Sequence, residues 1–331
     1  MPADTHTLLI YVHEDRLGDA LLKLPAMAAL RTAFPGYRIT WRAGCGPSVF
    51  NTTLAPLAGG LVDSVQEAPP LGCAWREWLR RPAGPGHDII IDTQTVVRST
   101  LLLRRLPHRL FVSPALGFRL SRRRPPQRRL AGNLSQRLLQ LFALAAGRSA
   151  LAPGELPPPP PRFRDAAAKL LPAGPAYIGL APGAGGRDKC WPLQDYLNLG
   201  REQLRRGRVP VFLLGPEERD WVAEVRAAVP GALLPEMDAA PGKEGPLLTL
   251  ALAGRLRLAV ANDAGTGHLL AAAGTPLLSL FGRTSEEKFI ETGGRRRVLR
   301  ARDFGGEGVD AIPYSAVAAV VEEMLQRPEA A

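Results

Sequence analysis

Residues 258–281 read Leu-Ala-Val-Ala-Asn-Asp-Ala-Gly-Thr-Gly-His-Leu-Leu-Ala-Ala-Ala-Gly-Thr-Pro-Leu-Leu-Ser-Leu-Phe. The first four are a short apolar run that suits a strand buried on both faces of a parallel sheet. Asn262 and Asp263 mark its end and can cap the next element. Residues 264–273 have helix composition, Gly274-Thr275-Pro276 stops them, and 277–281 supplies the next strand. The glycines at 265 and 267 keep the first helical turn uncrowded, so its free N–H groups can point at an anion. A helix start carries roughly +0.5 charge and holds a phosphate without needing a lysine. An ordinary capped helix in an α/β sheet has the same spacing, so the choice falls to the rest of the chain.

The same grammar repeats on either side. In the second half a strand over 177–181 leads into the loop Pro182-Gly183-Ala184-Gly185-Gly186-Arg187-Asp188-Lys189-Cys190-Trp191-Pro192. A helix to about residue 206, a strand over 209–214 and a helix over 217–229 come after it. Residues 295–299 make a last short strand and 312–327 a closing helix. In the first half, strands are expected over 7–12, 37–41 and 87–92. One helix starts near Gly18 or Asp19 and is ended by Phe34-Pro35-Gly36. Another runs from Gly44-Cys45-Gly46-Pro47 to about Leu57, and a third covers 96–106. Residues 119–127, with Arg122-Arg123-Arg124-Pro125-Pro126, form no regular element and read as a mobile basic loop. Residues 134–145 recover as an amphipathic helix, and the proline-rich 153–161 reads as a stiff linker.

Strand and helix alternating at this spacing mean parallel, doubly wound sheets. The fold class is therefore α/β: two Rossmann-like doubly wound parallel-sheet domains facing a central cleft. The expected divisions are a first domain over 1–152, a linker over 153–162, a second domain over 163–311, and a closing helix and tail over 312–331. In such sheets ligands lie beyond the carboxyl ends of the strands, at the point where strand order reverses. Asp19, Asp92, the loop from Gly183 to Lys189 and the turn from Asp263 to His268 all fall at such ends.

A chain of 331 residues can bury two full cores. It contains no apolar run near the ~20 residues that span a bilayer. The start, Met-Pro-Ala-Asp-Thr-His-Thr, lacks the basic region of a signal peptide, so the reading is cytoplasmic. Cys45, Cys73 and Cys190 lie far apart with no C-x-x-C pair, which indicates neither a disulfide framework nor a zinc site. The net charge of +11 is localised: residues 98–148 hold 12 arginines, no lysine and no acidic residue. Such a block suits an anionic partner, whether nucleic acid, acidic lipid or a phosphorylated substrate at a membrane surface. A solvated arginine-rich face has the same composition.

Several motifs in this order resemble the bacterial heptosyltransferases, glycosyltransferase family nine of the GT-B fold. In the first half they are Asp15-Arg16-Leu17-Gly18-Asp19 followed by Leu24-Pro25-Ala26, and His87-Asp88-Ile89-Ile90-Ile91-Asp92 followed by Gln94. In the second half they are Ala181-Pro182-Gly183-Ala184 with Lys189, Trp191 and Pro192, then Leu213-Leu214-Gly215-Pro216-Glu217-Glu218. Asn262-Asp263, Gly265 and His268-Leu269 come next, then Gly274-Thr275-Pro276 and Leu280-Phe281-Gly282 with Thr284. The resemblance covers nearly the full length. It implies inverting transfer of a heptose from an ADP-activated donor to a sugar hydroxyl, with no metal or other cofactor.

Carried over residue by residue, the resemblance makes Asp19 the base that takes the acceptor proton. Lys189 and the helix-start amides of Gly265, Thr266, Gly267 and His268 stabilise the leaving diphosphate. Gly183 lines the donor loop, Asp263 holds hydroxyls of the donor sugar, and Glu217 or Glu218 accepts from the ribose. On the acceptor side stand Arg16, Asp92, Arg119, Arg122, Arg123 and Arg124. The implied partners are a nucleotide sugar and an anionic glycolipid acceptor at the inner face of the inner membrane, with no nucleic acid and no transmembrane segment.

Three features depart from the family pattern. Ala264 stands where a threonine is usual, Asp15-Arg16 precede Leu-Gly-Asp in place of Ser-Ser or Ser-Trp, and Gly185-Gly186-Arg187 fill the phosphate loop unusually. These bear on the sugar more than on the reaction. The rival readings are a GT-B-fold sugar-nucleotide epimerase, a basic nucleic-acid-binding protein and a catalytically dead scaffold. The basic stretch lacks the interleaved aromatics of a stacking surface. No Gly-x-Gly-x-x-Gly follows the first strand and there is no P-loop, which argues against nicotinamide and P-loop chemistry.

Overall fold

The computed structural model describes residues 6–79, 86–130, 132–239, 245–283 and 295–326. The chain divides between Pro157 and Pro158 into two compact units, each built around its own parallel sheet. That break falls within the proline-rich stretch.

Unit 1 contains strands β1 (Thr7–Val12), β2 (Arg38–Ala43), β3 (Ser64–Gln66), β4 (His87–Asp92) and β5 (His108–Val112). They lie in the order β3-β2-β1-β4-β5 and every pair is parallel. Central β1 sets Leu8 against both Ile39 and Ile89, and its apolar run is buried because helices cover the sheet. The helices are α1 (Leu17–Ala33), α2 (Ala55–Ala58), α3 (Val97–Leu103), α4 (Ala115–Phe118) and α5 (Leu134–Ala146). Helix α1 buries Ala20, Leu24, Met27 and Leu30, and packs on α5. Asn133 and Gln136 form a reciprocal capping box at the start of α5, and Gly147 ends it in the left-handed region at φ 71°. The chain then returns along α1: Gly154 donates to the Pro25 carbonyl at 2.9 Å, and a Cβ at 154 would lie 2.5 Å from Ala28.

Unit 2 contains β6 (Tyr177–Ala181), β7 (Val209–Phe212), β8 (Leu258–Asn262), β9 (Leu277–Phe281) and β10 (Arg296–Arg300), in the parallel order β10-β9-β8-β6-β7. Its helices are α6 (Pro161–Leu170), α7 (Leu193–Arg205), α8 (Val222–Ala228), α9 (Pro235–Ala239), α10 (Gly245–Ala253), α11 (Gly265–Ala272) and α12 (Tyr314–Gln326). One core joins Ile178, Leu180 and Val260 of the sheet to Leu197 of α7, Val225 of α8 and Val321 of α12. The closing helix is therefore part of this unit's own core. Helix α10 packs on α6 and on α11. Strand order reverses between β1 and β4 in one sheet and between β6 and β8 in the other, so each unit has a switch point.

Several expectations need correcting. Cys45 and Cys73 form a disulfide with Cα atoms 5.3 Å apart, because the end of β2 and the 71–74 segment meet in space although 28 residues separate them in sequence. The expected helix from the Gly44 turn to Leu57 is instead a 3₁₀ turn, Val49–Asn51, and the short α2. Ser48 has left the helix to pair with the 13–19 loop, and its hydroxyl caps the turn at the Phe50 amide. Strands β3 and β5 and helices α6 and α10 were not anticipated. β3 has only three residues, and His108 and Arg109 break the apolar pattern of β5. The 119–127 segment is tied rather than loose: Arg122 N–H pairs with Phe111 O at 2.9 Å, and Arg123 reaches the Ala145 carbonyl at 2.7 Å. Thr284 and Arg327 lie outside the described residues.

The loop between β1 and α1 is held from beneath. Asp15 is 2% exposed, and Lys23, in the second turn of α1, is 6% exposed. Their charges meet at 2.5 Å. The other Asp15 oxygen accepts from Trp41 Nε1 at 2.9 Å and from the Ser48 hydroxyl at 2.6 Å. Lys23 also donates to the Glu14 carbonyl at 3.1 Å. A buried ion pair contributes little against an apolar replacement, but losing one partner strands the other charge, at a cost of about 3–5 kcal/mol. Asp15→Ala should therefore lower unfolding free energy by that amount in denaturant titration, and Asp15→Leu with Lys23→Met should recover part of it. A loss below about 1 kcal/mol for Asp15→Ala, the size of an exposed pair, would contradict this reading.

Candidate functional site

In unit 1 the tied loop delivers two exposed charges. Arg16 is the N-cap residue of α1 and pairs with Glu14 at 2.8 Å, with most of its side chain in solvent. Asp19 lies in the first helical turn, exposed. It caps nothing and has no hydrogen bond or ion pair among the described residues. The carboxylate therefore does not serve as the cap of α1.

Asp92 ends β4 at the same edge of the sheet but faces inward, with no exposed surface. Its carboxylate accepts from the Thr100 hydroxyl at 2.5 Å, the Ser113 hydroxyl at 2.9 Å and the Gln94 amide at 2.9 Å. Burial pushes its pKa up from 3.8 to about 6, against the lowering effect of those donors. A group so engaged is not available to an acceptor, which corrects the expectation for Asp92. It fixes the strand end and the start of α3.

The basic segment folds onto the outer edge of β5. Arg104, His108, Arg109, Arg119, Arg122 and Arg124 line a pocket of about 380 Å³ there. Arg122 and Arg124 donate to main-chain carbonyls of Arg109 and Ser121, at 2.9 and 3.4 Å. Arg123 turns away and caps the carboxyl end of α5.

In unit 2 the loops after β6, β7 and β8, which are neighbours in the sheet, come together at its carboxyl edge. Asn262, the buried last residue of β8, joins two of them. Its amide nitrogen donates to Pro182 O at 2.7 Å, and its oxygen accepts from Trp191 N at 3.0 Å and the Tyr196 hydroxyl at 3.3 Å. Gly183 abuts Glu218, whose carboxyl carbon would lie 2.6 Å from a Cβ at that position. Glu218 also accepts from the Gly215 amide at 2.8 Å, and burial raises its pKa. Glu217, its neighbour in the same turn, is exposed instead. Behind it, buried Glu236 accepts from Thr249, and burial moves its pKa up to about 7.

Lys189 sits exposed on a 3₁₀ turn, Arg187–Lys189, with no partner among the described residues. Arg187 anchors that turn: it pairs with Asp220 at 2.8 Å and stacks 3.8 Å from the Trp221 ring centre. Helix α11 starts at Gly265, with Ala264 as an N-cap that offers no side-chain acceptor. Its first amides consequently stay open to a ligand. Gly267 must be glycine because a Cβ there would lie 2.9 Å from Asn262 O. Asp263 and Thr266 are half-buried at the same turn, and His268 is buried beneath it. Gly183, Glu218, Lys189 and the Asp263–His268 turn are thus gathered on one sheet edge. Among the described residues no group of three His, Cys, Asp or Glu side chains could hold a metal ion.

The sequence did not reveal Asp15, Lys23, Asn262 or Arg187 as the residues that position these groups. A lysine on the apolar stripe of α1, between Ala20 and Met27, was the one available sign for the first pair.

The family model for glycosyltransferase family 9 (heptosyltransferase) matches residues 79–305. Lipopolysaccharide heptosyltransferase 1 of Pseudomonas aeruginosa is 27% identical over 326 residues, spanning 89% of this chain and 84% of the relative. A glycosyl transferase family 9 structure from Veillonella parvula superposes with a TM-score of 0.68 at 19% identity, covering 98% of both chains. The E. coli heptosyltransferase WaaC, solved with ADP-2-deoxy-2-fluoro heptose, gives 0.67 at 20% identity, over 96% of this chain and 99% of that one. These structural likenesses establish the GT-B type of fold for the two parallel-sheet units.

The buried Asp92 carboxyl makes stability depend on pH. Its folded pKa lies above its unfolded value, so the folded state binds the extra proton and stability falls as pH rises from about 4 through about 6. Across that window wild-type stability should drop by on the order of 2 kcal/mol relative to Asp92→Asn. Urea titrations of both proteins at several pH values test this, and parallel pH profiles would contradict it.

Proposed function

The chain belongs to glycosyltransferase family 9, and from that premise we propose that it moves a heptose from ADP-heptose to a phosphorylated sugar of the lipopolysaccharide core. The observation that carries this reading is the gathering of Gly183, Lys189, Glu218 and the Asp263–His268 turn on one sheet edge at a switch point. That arrangement suits a nucleoside diphosphate sugar: open amides and an unpaired ammonium for the diphosphate, a carboxylate for the ribose hydroxyls.

The acceptor hydroxyl attacks the anomeric carbon as the bond from that carbon to the diphosphate oxygen breaks, with inversion. The hydroxyl proton passes to the Asp19 carboxylate, and ADP leaves with the negative charge. Lys189 and the amides of Gly265, Thr266 and Gly267 meet that charge as it develops, where each well-placed donor contributes ~10²–10³ in rate; the His268 amide is taken by the Ala264 carbonyl at 3.2 Å. Asp263 holds hydroxyls of the donor sugar and Glu218 those of the ribose. Unit 1 takes the acceptor, with Arg16 beside the base and the basic segment of Arg119, Arg122 and Arg124 toward its anionic groups. Unit 2 takes the nucleotide sugar. The bound ADP-sugar of the E. coli relative supports the choice of donor class, and the Pseudomonas aeruginosa relative supports the choice of acceptor. The protein then works at the cytoplasmic side of the membrane that carries the acceptor.

Asp19→Ala should lower turnover by ~10²–10⁴, with the calorimetric Kd for ADP unchanged. Lost nucleotide binding, or full turnover, would remove Asp19 from the role of base. Lys189→Ala should raise the Kd for ADP and slow turnover together, and unchanged kinetics would contradict its place on the diphosphate. Substituting Arg119, Arg122 and Arg124 by serine should raise the acceptor KM and leave the donor KM alone.

A further inference from the structure

The arginine pocket on the edge of β5 is larger than the acceptor reading requires. It extends along the strand to its first residue, His108, and to Arg104 at the end of α3. His108 is in register with His87, at the opposite end of β4 from Asp92. Five residues at ~3.3 Å each put that end of the pocket roughly 17 Å from the strand ends where the chemistry is proposed. Arg104 and Arg109 therefore have no task in the reaction.

The charge there is strongly one-sided. Five guanidinium groups and His108 line the pocket, and Asp88, 3.2 Å from Arg109, is the one carboxylate paired with any of them among the described residues. Arg109 remains 82% exposed even so. Apolar side chains flank this charge on both sides. Leu101 lies one helical turn before Arg104 in α3, and both are exposed. Arg105 reaches across to Trp78, donating to its carbonyl at 3.0 Å with its guanidinium 5.9 Å from the ring centre. Leu79, 77% exposed, follows directly. On the other side Leu116 stands exposed one turn before Arg119. Five of the six exposed large apolar side chains among the described residues fall between Trp78 and Leu116. A pocket for a small soluble anion needs no such rim. A bilayer surface offers both parts at once, phosphate for the arginines and the headgroup boundary for leucine and tryptophan.

We propose that this face of unit 1 docks on an anionic bilayer, with the pocket taking the phosphate of a glycerophospholipid and Leu79, Leu101 and Leu116 seated at the headgroup boundary. The docking rests on the transfer reading only in supposing that the acceptor is presented at a lipid surface. It is tested without donor or acceptor, so failure of either reading leaves the other standing. RNA is disfavoured because Trp78 is the one exposed large aromatic on this face among the described residues, Phe111 being buried, and a stacking surface sets several rings along the strand.

The test is co-sedimentation of the full chain with phosphatidylcholine vesicles, with and without phosphatidylglycerol. The protein should bind only the anionic vesicles. Arg104→Glu with Arg109→Glu should weaken that binding at least about tenfold, since each basic residue near such a surface counts, while calorimetric binding of ADP stays at the wild-type value. Leu116→Ser, on an exposed turn, should weaken it at unchanged charge. The proposal is overturned if wild type ignores anionic vesicles or if the double charge reversal binds them as well as wild type. It is also overturned if inorganic phosphate or an arbitrary RNA binds through Arg104 and Arg109 while vesicles do not.

Discussion

The buried contact between Asp15 and Lys23 sets the geometry of unit 1. A carboxylate with one oxygen on an ammonium and the other on an indole N–H and a serine hydroxyl cannot shift without stranding a charge in the core. Because Asp15 is fixed, the exposed Arg16 and Asp19 just beyond it are placed as well, although Arg16 pairs only with Glu14 of the same loop and the Asp19 side chain has no partner among the described residues. Rigid support beneath a free carboxylate is what a general base requires: the group must be both available and placed.

Unit 2 solves the corresponding problem with a neutral residue. Asn262 ends β8 as Asp15 follows β1, and it uses both halves of its amide to tie the loop after β6 to the turn before α11. A neutral tie adds no charge of its own beside Lys189 and the open amides of Gly265, Thr266 and Gly267. The third loop is brought in by Glu218 on Gly215 and against Gly183, and by Arg187 on Asp220. Ala264 fits this picture: it puts no side-chain cap on α11, so the helix start keeps its first amides open. Positive charge is handled differently in the two units. In unit 2 Lys189 is a single charge at a loop tip, whereas in unit 1 the arginines are massed on a sheet edge where carbonyls hold several of them in place.

Most of the strand framework was legible because parallel strands buried on both faces leave uninterrupted apolar runs. The runs over 177–181, 87–92 and 277–281 coincide with β6, β4 and β9 to the residue. The edge strands β3, three residues long, and β5, opened by His108 and Arg109, went unread. The motifs named the loops that matter, yet they could not rank residues within them. Glu217 and Glu218 are adjacent in sequence, and only the fold turns one inward and the other out. Asp19 and Asp92 each fall near the end of a strand, but the first is in solvent and the second is enclosed by two hydroxyls. The disulfide between Cys45 and Cys73 was invisible because it depends on where the loop after β3 returns, which no local spacing encodes.

The claim that matters most is that the carboxyl edge of the second sheet holds an adenosine diphosphate sugar. Isothermal titration of the full chain with a panel of ADP-, GDP- and UDP-sugars tests it without requiring any acceptor. The assignment predicts one saturable site for ADP-heptose and ADP, with GDP- and UDP-sugars at least about tenfold weaker, the cost of leaving a buried polar group unmatched. Equal binding of all three bases, a preference for uridine, or no binding to any of them would contradict it.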